Sequence, residues 1–270
     1  MLEASADDGA DKSDRAAVTY REVDGVAVLT LNEPRSMNAM SGPLKSALAS
    51  QIERAMASAQ VRCLLLTGSG AAFCAGGDIR SMSQRAPMAV RERLHTTYRW
   101  VRQLTQGDKP VVGAVNGVAA GAGLSLALLC DIVVASEQAV FKPGFSAIGA
   151  VPDLGLAYLL PRCVGLPMAK DLLLSGRALQ ASEALACGLV SRVVPHEELQ
   201  ARALDVARGV ASGPAALQLT RQLMNQGLAS TLEAFLAQEA LAQAAAFGTQ
   251  DFDEGVKAFQ ERRGPAFTGR

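Results

Sequence analysis

One carboxylate stands out in this sequence as a group able to carry protons. Asp153 lies in the apolar stretch IGAVPDLGLAYLL, where removal from water raises the pKa of a carboxyl and suits it to proton transfer near neutral pH. The same position is typical of a residue that caps the following helix, LGLAYLL, and the two roles can coexist. Asp153 is therefore a candidate proton carrier with a capping role as the alternative.

Two glycine-rich turns, GSGAAFCAGGD and GVAAGAG, each follow a predicted buried strand. Neither is a phosphate loop, because GKS and GKT are absent and GAGLSL has Leu126 where a dinucleotide motif has its third glycine or alanine. A single turn of this kind is more often a plain strand-to-helix turn. Two such turns, at the same point of two successive strand–turn–helix units, can direct backbone N–H groups at one developing oxyanion. Enzymes that act on acyl groups require such a pair of donors.

A serine-hydrolase triad is the competing interpretation. Ser125, Asp153 and His196 follow one another in the order that the α/β-hydrolases use. Ser125, however, lies two residues beyond Gly123 and inside a predicted helix, whereas a nucleophilic serine occupies the turn itself. His196 is predicted to lie exposed in the first turn of a helix, so the triad is the weaker of the two interpretations.

Charge and composition exclude several classes of protein. The chain of 270 residues has 26 Lys+Arg and 26 Asp+Glu, so it lacks the cationic surplus of a general nucleic-acid binder. No apolar run approaches the ~18 residues of a membrane span, and the first fifteen residues do not resemble a signal peptide, which predicts a cytoplasmic protein. Five cysteines without a CxxC pair and two histidines favour reduced, buried thiols over a metal site.

The elements that position the two turns alternate in type. Asp24-Gly25 between two alternating apolar runs predicts a type I′ hairpin, and Ser41 is predicted to cap a helix with Pro43 in its first turn. Strand, glycine-rich turn and helix then occur twice, which indicates an α/β layer structure. After Pro167 the chain is mostly helical, and Ser182 is predicted to cap EALACG. We divide the chain into a disordered tail (1–16), a core (17–200) and a C-terminal helical region (201–270).

From about Val18 to its C-terminus the sequence resembles the enoyl-CoA hydratase/isomerase (crotonase) family. The motifs that carry the resemblance are LNEPRSMNAM, FCAGGDI, AVNGVAAGAGLSLALLCDIVVAS, IGAVPDLGLAYLLPRCVG, SGRALQASEALACGLVSRVV and AFQERRGPAF, which occur in this order. The resemblance implies an α/β fold built as a spiral of ββα repeats with a C-terminal helical trimerisation region. It also implies a homotrimer or hexamer and a coenzyme A thioester substrate. No separate cofactor is expected, because coenzyme A enters as part of that substrate.

The family's sites map onto individual residues of this chain. The backbone N–H groups of Gly77 and Ala122 would be the two oxyanion donors, and alanine is an acceptable replacement for the more usual glycine because only the backbone donates. Phe259 and the basic C-terminus would approach the CoA phosphates, although a solvated tail accounts for that charge equally well. The loops that would hold adenine and pantetheine contain Met37, Ala39, Ala75, Asp78 and Ile79.

Two departures from the family pattern bear on the reaction. Family hydratases carry two glutamates that hold and activate a water, and this chain has Ser125 and Phe145 at the matching positions. It retains Asp153, as the isomerase branch does, including the ring-epoxide phenylacetyl-CoA isomerases. We therefore expect an acyl-CoA isomerase that shifts a double bond. Hydration, acyl-CoA hydrolysis or dehalogenation with Asp153 as nucleophile, and non-catalytic thioester binding stay open as alternatives.

Overall fold

The computed structural model describes residues 16–81, 83 and 85–270. Apart from Ala16, the predicted disordered tail lies outside the described residues. The strands are β1 (Val18–Val23), β2 (Val26–Leu31), β3 (Cys63–Gly68), β4 (Ala72–Cys74), β5 (Val111–Val115), β6 (Val118–Ala120), β7 (Ile132–Ser136), β8 (Val140–Lys142), β9 (Leu179–Gln180) and β10 (Arg192–Val194). The α-helices are α1 (Gly42–Ala57), α2 (Pro87–Gln106), α3 (Ala122–Leu128), α4 (Leu156–Val164), α5 (Leu166–Ser175), α6 (Ala181–Ala186), α7 (Leu199–Ala211), α8 (Ala216–Gly227), α9 (Leu232–Phe247) and α10 (Gln250–Glu261).

The strands form two sheets, and from β3 to β8 successive strands alternate between them. The larger sheet has the order β1-β2-β3-β5-β7-β10, and the smaller has the order β4-β6-β8-β9. Pairing is parallel except between β1 and β2 and between β8 and β9. Each of the pairs β3–β4, β5–β6 and β7–β8 therefore contributes one strand to each sheet. This arrangement confirms the predicted α/β spiral with a C-terminal helical region.

The inner strands β2, β3, β5 and β7 of the larger sheet are buried on both faces, which explains why they are nearly continuous apolar runs. Along β3, Cys63 and Leu65 belong to the apolar cluster that includes α7, whereas Leu64 and Leu66 belong to the main core on the opposite face. α7 covers its face with Leu199, Ala203, Ala207 and Ala211, which recur at the spacing of one helix face. The division that we predict between residues 200 and 201 falls inside this helix.

Two local predictions near the N-terminus are confirmed. β1 and β2 pair antiparallel around Asp24 (φ 49°) and Gly25 (φ 78°), the two positive φ angles that a type I′ turn requires. Ser41 caps α1, because the Leu44 N–H donates to Ser41 Oγ at 3.1 Å, and Pro43 lies in the first turn. The cap fixes the point where the chain leaves the loop of residues 32–40 and enters α1.

Three sequence predictions are wrong in detail. Neither glycine-rich segment is a continuous turn, because residues 72–74 of the first form β4 and residues 118–120 of the second form β6 of the smaller sheet. Ser182 does not cap α6; it is the second residue of that helix, and Gln180 occupies the cap position without a side-chain hydrogen bond. Cys163 is exposed near the end of α4 and is not a buried thiol, although all five cysteines are free.

Two kinds of feature are absent from the described part of the chain. None of the helices described there is long and apolar enough to cross a membrane. No group of three or more His, Cys, Asp and Glu side chains there has an arrangement that could hold a metal ion.

Candidate functional site

The two glycine-rich turns meet at one edge of the smaller sheet. The parts that meet are residues 75–78 and 121–123, which follow the neighbouring parallel strands β4 and β6, and the carboxyl ends of these strands lie side by side. Gly76 has φ 99°, and a Cβ added there would lie 2.7 Å from the Ala120 carbonyl oxygen and 3.4 Å from the Ala122 nitrogen. The turns thus touch backbone to backbone, and only a glycine allows this approach.

A small cavity of about 60 Å³ brings together the three residues that sequence analysis assigned to catalysis. Ala122 is the first residue of α3, where a backbone N–H has no partner within its own helix. The residues that line the cavity are Met40, Lys45, Gly77, Asp78, Arg93, Leu94, Thr97, Trp100, Ala122, Asp153 and Leu154. A carboxylate and two candidate backbone donors therefore face one enclosed space.

A second cavity of about 450 Å³ shares Gly77, Ala122 and Asp153 with the first. Phe145, which replaces a family glutamate, lies in its wall and is buried. The loop of residues 148–152 contributes further apolar side chains to this wall. The larger cavity therefore has a mainly apolar wall beside the carboxylate.

The Asp153 side chain is half-buried, and one of its carboxyl oxygens lacks a hydrogen-bond partner. Within the described part of the chain, Asp153 Oδ1 is inaccessible to solvent and accepts no hydrogen bond. Burial is the largest influence on this group and raises the pKa of Asp153, while the charges of Lys45 and Arg93 partly oppose the shift. A carboxylate that lines a cavity and is largely removed from water is suited to accept a proton from a bound molecule.

The expected capping role of Asp153 is wrong. α4 begins at Leu156, and Gly155 occupies its cap position with φ 84°. Leu154 also has a positive φ of 51°, so the chain turns twice between Asp153 and the helix. The Asp153 side chain is thereby directed to the cavity, while its backbone carbonyl accepts the Leu156 N–H at 3.1 Å.

Ser125 holds the loop that carries Asp153. It is fully buried in α3, and Ser125 Oγ donates to the Asp153 backbone carbonyl at 3.0 Å. His196 is exposed elsewhere, with Nδ1 3.0 Å from Ser136 Oγ. The Ser125, Asp153 and His196 triad is therefore not assembled. The residue at a family glutamate position instead fixes the backbone beside the carboxylate.

Most of the predicted CoA-binding residues lie together beside the turns. The Ala75 N–H donates to the Met37 carbonyl at 2.9 Å, so the two loops run next to each other. Met37 and Ile79 are 51% and 65% exposed, while Ala39 and Ala75 are half-buried. These loops present an accessible apolar surface at the cavity entrance, as a bound pantetheine and adenine would require.

Two further predicted CoA-binding groups differ from this pattern. Asp78 lines the small cavity and pairs with Arg80 at 3.1 Å, and hydrogen bonding to Arg80 lowers the pKa of its carboxyl. Phe259, 86% exposed, lies on α10 and borders a separate apolar cavity of about 510 Å³ with Phe267. Within one chain, therefore, the structure does not bring Phe259 to the turns.

Two cations at the small cavity are not predicted from the sequence. Lys45 comes from the first turns of α1 and Arg93 from α2, and both line the space occupied by Asp153. Burial and the nearby Arg93 lower the pKa of Lys45. No motif identifies either residue, because single charged residues on amphipathic helices usually face solvent. Only the packing of α1 and α2 shows where they point.

Comparisons with known proteins agree with this geometry. A family model described as enoyl-CoA hydratase/isomerase matches residues 21–270. A 1,2-epoxyphenylacetyl-CoA isomerase from Escherichia coli is 41% identical over 91% of this chain and 96% of that protein. A 2,3-dehydroadipyl-CoA hydratase from the same organism is 37% identical over 91% of this chain and 96% of that protein. The crystal structure of an enoyl-CoA hydratase/isomerase from Cupriavidus metallidurans has a TM-score of 0.88 and 35% identity, covering 94% and 96% of the two chains.

Proposed function

Because the chain belongs to the enoyl-CoA hydratase/isomerase family, we propose that it is an acyl-CoA isomerase that moves a double bond within the acyl group. The thioester carbonyl accepts hydrogen bonds from the backbone N–H groups of Gly77 and Ala122. These bonds stabilise the enolate that forms when a C2 proton leaves, and each donor contributes about 10²–10³-fold in rate. Asp153 takes this proton from C2 and returns it to C4, so one carboxylate completes the 1,3-shift.

The single observation that carries this proposal is that the half-buried Asp153 carboxyl lines the same cavity as the two candidate donors. A proton held on a carboxyl that is largely removed from water can be returned to the substrate before it exchanges. The reaction uses only groups of this chain and needs no cofactor besides the coenzyme A of the substrate.

The residues at the two glutamate positions support isomerisation over hydration. Phe145 places an aromatic ring in the wall of the larger cavity, and the Ser125 hydroxyl is engaged with the Asp153 backbone. Neither can hold and deprotonate a water as a carboxylate does. The name of the Escherichia coli isomerase agrees with this choice, whereas the name of the dehydroadipyl-CoA relative favours hydration as the second candidate.

The experiment that tests the proposal supplies 3-hexenoyl-CoA and 2-hexenoyl-CoA separately and identifies the products by NMR and mass spectrometry. Isomerisation interconverts the two thioesters without a change in mass. Hydration of the 2-enoyl substrate adds the mass of one water and removes the conjugated-enoyl absorbance. Release of free CoA identifies hydrolysis, and a covalent adduct on Asp153 after rapid quenching identifies this carboxylate as the nucleophile. Thioester binding without any turnover identifies a non-catalytic protein.

We also propose that the chain functions as a homotrimer or as a pair of trimers. α9 exposes Leu232, Leu236, Leu241 and Phe247, an apolar set that a monomer leaves in contact with water. A second copy that covered this helix would also provide a route for Phe259 to reach a neighbouring CoA. Light scattering coupled to gel filtration measures the mass, and a monomer at micromolar concentration contradicts this assembly.

The pH dependence of kcat/KM for a 3-enoyl-CoA follows from the environment of Asp153. The base must be ionised, and burial raises the pKa of Asp153 above its ordinary 3.8. The rate is therefore expected to fall as pH drops through an apparent pKa that lies above 3.8. Since the charge of Lys45 opposes the shift, Lys45→Met moves this acidic limb to higher pH, whereas removing the exposed Lys170 does not. An acidic limb at or below 3.8 contradicts the assignment.

A further inference from the structure

A further cavity, which we call the distal cavity, is lined by residues of α2, α4 and α8. Its volume is about 420 Å³, whereas the small cavity that holds Asp153 has about 60 Å³. Leu129, Tyr158 and Leu159 contribute apolar surface to it, and Asn225 is one of the polar residues that line it. The proton transfer described above makes no use of this space.

Two elements run from the candidate site to the distal cavity. In the loop before α4, Asp153 lines the small cavity, Leu154 lines both cavities, and Gly155 lines the distal cavity. On α2, Leu94 lines the small cavity, and Tyr98, one turn later, lines the distal cavity. The two cavities are therefore neighbours. Among the residues that the structure describes, Leu154 is the one residue that they share.

The backbone of Leu154 is strained. Leu154 has φ 51°, which is unfavourable for a bulky residue, and its side chain is buried with the main core. The next position also has a positive φ and is occupied by glycine, Gly155, which adopts it at little cost. A glycine at position 154 would avoid the strain but would leave the boundary between the cavities open. The leucine thus retains a strained backbone together with a side chain that fills this boundary.

The proposed function fixes the direction in which an acyl group extends. Its thioester carbonyl is held by the N–H groups of Gly77 and Ala122, and C2 and C4 lie at Asp153. Carbons beyond C4 continue from Asp153 and meet its neighbour, Leu154, in a cavity of about 60 Å³. A longer chain must displace a side chain that is packed in the core or leave its own end unburied, and both are unfavourable.

We propose that Leu154 is a specificity-determining residue that closes the small cavity toward the distal cavity and thereby selects short acyl groups. The inference rests on the proposed function, which places C4 beside Asp153 and hence beside Leu154. A smaller side chain at position 154 joins the two cavities. The apolar surface of Leu129, Tyr158 and Leu159 then receives the end of a longer acyl chain.

The test compares two saturated thioesters, hexanoyl-CoA and decanoyl-CoA, which have no double bond to move or hydrate. Calorimetry below the concentration at which decanoyl-CoA forms micelles gives the ratio of their Kd values. The wild-type protein is expected to bind decanoyl-CoA no more tightly than hexanoyl-CoA. Leu154→Ala is expected to shift the ratio about tenfold or more in favour of decanoyl-CoA, because additional methylenes are then buried.

Leu159→Ala is the matched control. It shortens a leucine that lines the distal cavity but not the small cavity, so the boundary stays closed. Its Kd ratio is expected to stay within about twofold of the wild-type ratio. Circular dichroism establishes that each variant is folded before its ratio is used. If Leu154→Ala does not fold, Leu154→Gly, which suits the positive φ at this position, carries the test.

Three outcomes overturn the inference. The wild-type protein already binds decanoyl-CoA about tenfold more tightly than hexanoyl-CoA, or the folded variant at position 154 keeps the wild-type ratio, or Leu159→Ala shifts the ratio equally. Because the readout is the binding of unreactive thioesters, it separates this inference from the proposed function. The expected shift together with hydration of 2-hexenoyl-CoA would contradict only the isomerase. Double-bond movement with an unchanged ratio would contradict only the role of Leu154.

Discussion

Asp153→Asn is expected to lower kcat for a 3-enoyl-CoA by about 10²–10⁴-fold while the affinity for a non-reacting thioester stays nearly unchanged. Asparagine preserves the shape of the side chain but cannot accept and return a proton. The Ser125 hydrogen bond that positions the loop goes to the backbone of residue 153, so it survives the substitution. Steady-state kinetics with 3-hexenoyl-CoA and calorimetry with hexanoyl-CoA measure the two effects. A variant with a near wild-type rate refutes the role of Asp153.

Thermal unfolding of the same variant provides its control. Because burial raises the pKa of Asp153, the folded state binds a proton more tightly than the unfolded chain, and the ionised carboxylate destabilises the fold as pH rises above 3.8. Asp153→Asn removes that charge, so the variant should melt above the wild type at pH 7. The difference in melting temperature should disappear below pH 3.8, because Asp153 is then protonated in both the folded and the unfolded wild-type protein. If the variant melts below the wild type at pH 7, the substitution has damaged the structure, and this damage would explain the loss of activity.

Gly76→Ala is expected to lower kcat by about 10²–10³-fold, the effect of losing one oxyanion donor. The added Cβ would lie 2.7 Å from the Ala120 carbonyl oxygen, which is backbone and cannot move aside as a side chain does. The two turns must separate, which moves the Gly77 N–H away from that of Ala122. Kinetics with 3-hexenoyl-CoA measures the loss.

The matched control is Gly25→Ala in the hairpin turn. Gly25 also has a positive φ, of 78°, but a Cβ there would make only ordinary contacts, 3.6 Å from Ala211 and 3.7 Å from the Gln60 carbonyl oxygen. The strain costs roughly 1–2 kcal/mol of stability and should leave kcat unchanged. Equal activity losses in the two variants would mean that the approach of the turns has no catalytic role.

Local signals predicted the elements whose geometry is decided within a few residues. The Asp24-Gly25 turn and the Ser41 cap of α1 are examples, because one turn type and one side-chain hydrogen bond determine them. The short strand β6 was not predicted, since its three residues are extended only through pairing with β4 and β8. Ser182 was misassigned as a cap because the chain enters α6 from β9 through Gln180.

The candidate site was predictable in part for the same reason. The two glycine-rich turns and Asp153 were visible in the sequence, and the resemblance to a family indicated which backbone groups to choose. The orientation of Asp153 was not, because it depends on positive φ angles at Leu154 and Gly155. Lys45 and Arg93 were missed, since their approach to the cavity requires the packing of α1 against α2.

The most direct measurement of proton transfer by Asp153 uses 3-hexenoyl-CoA in which both hydrogens on C2 are replaced by deuterium. The labelled thioester is incubated with the protein in ordinary water. Asp153 Oδ1 is shielded from solvent, so the deuteron that leaves C2 is expected to reach C4 of the 2-hexenoyl product in part before it exchanges. NMR and mass spectrometry of the product quantify the transferred label. Deuterium at C4, formed by the wild type and not by Asp153→Asn, is the predicted result. A product whose new C4 hydrogen comes entirely from water would contradict transfer by a single sheltered carboxylate.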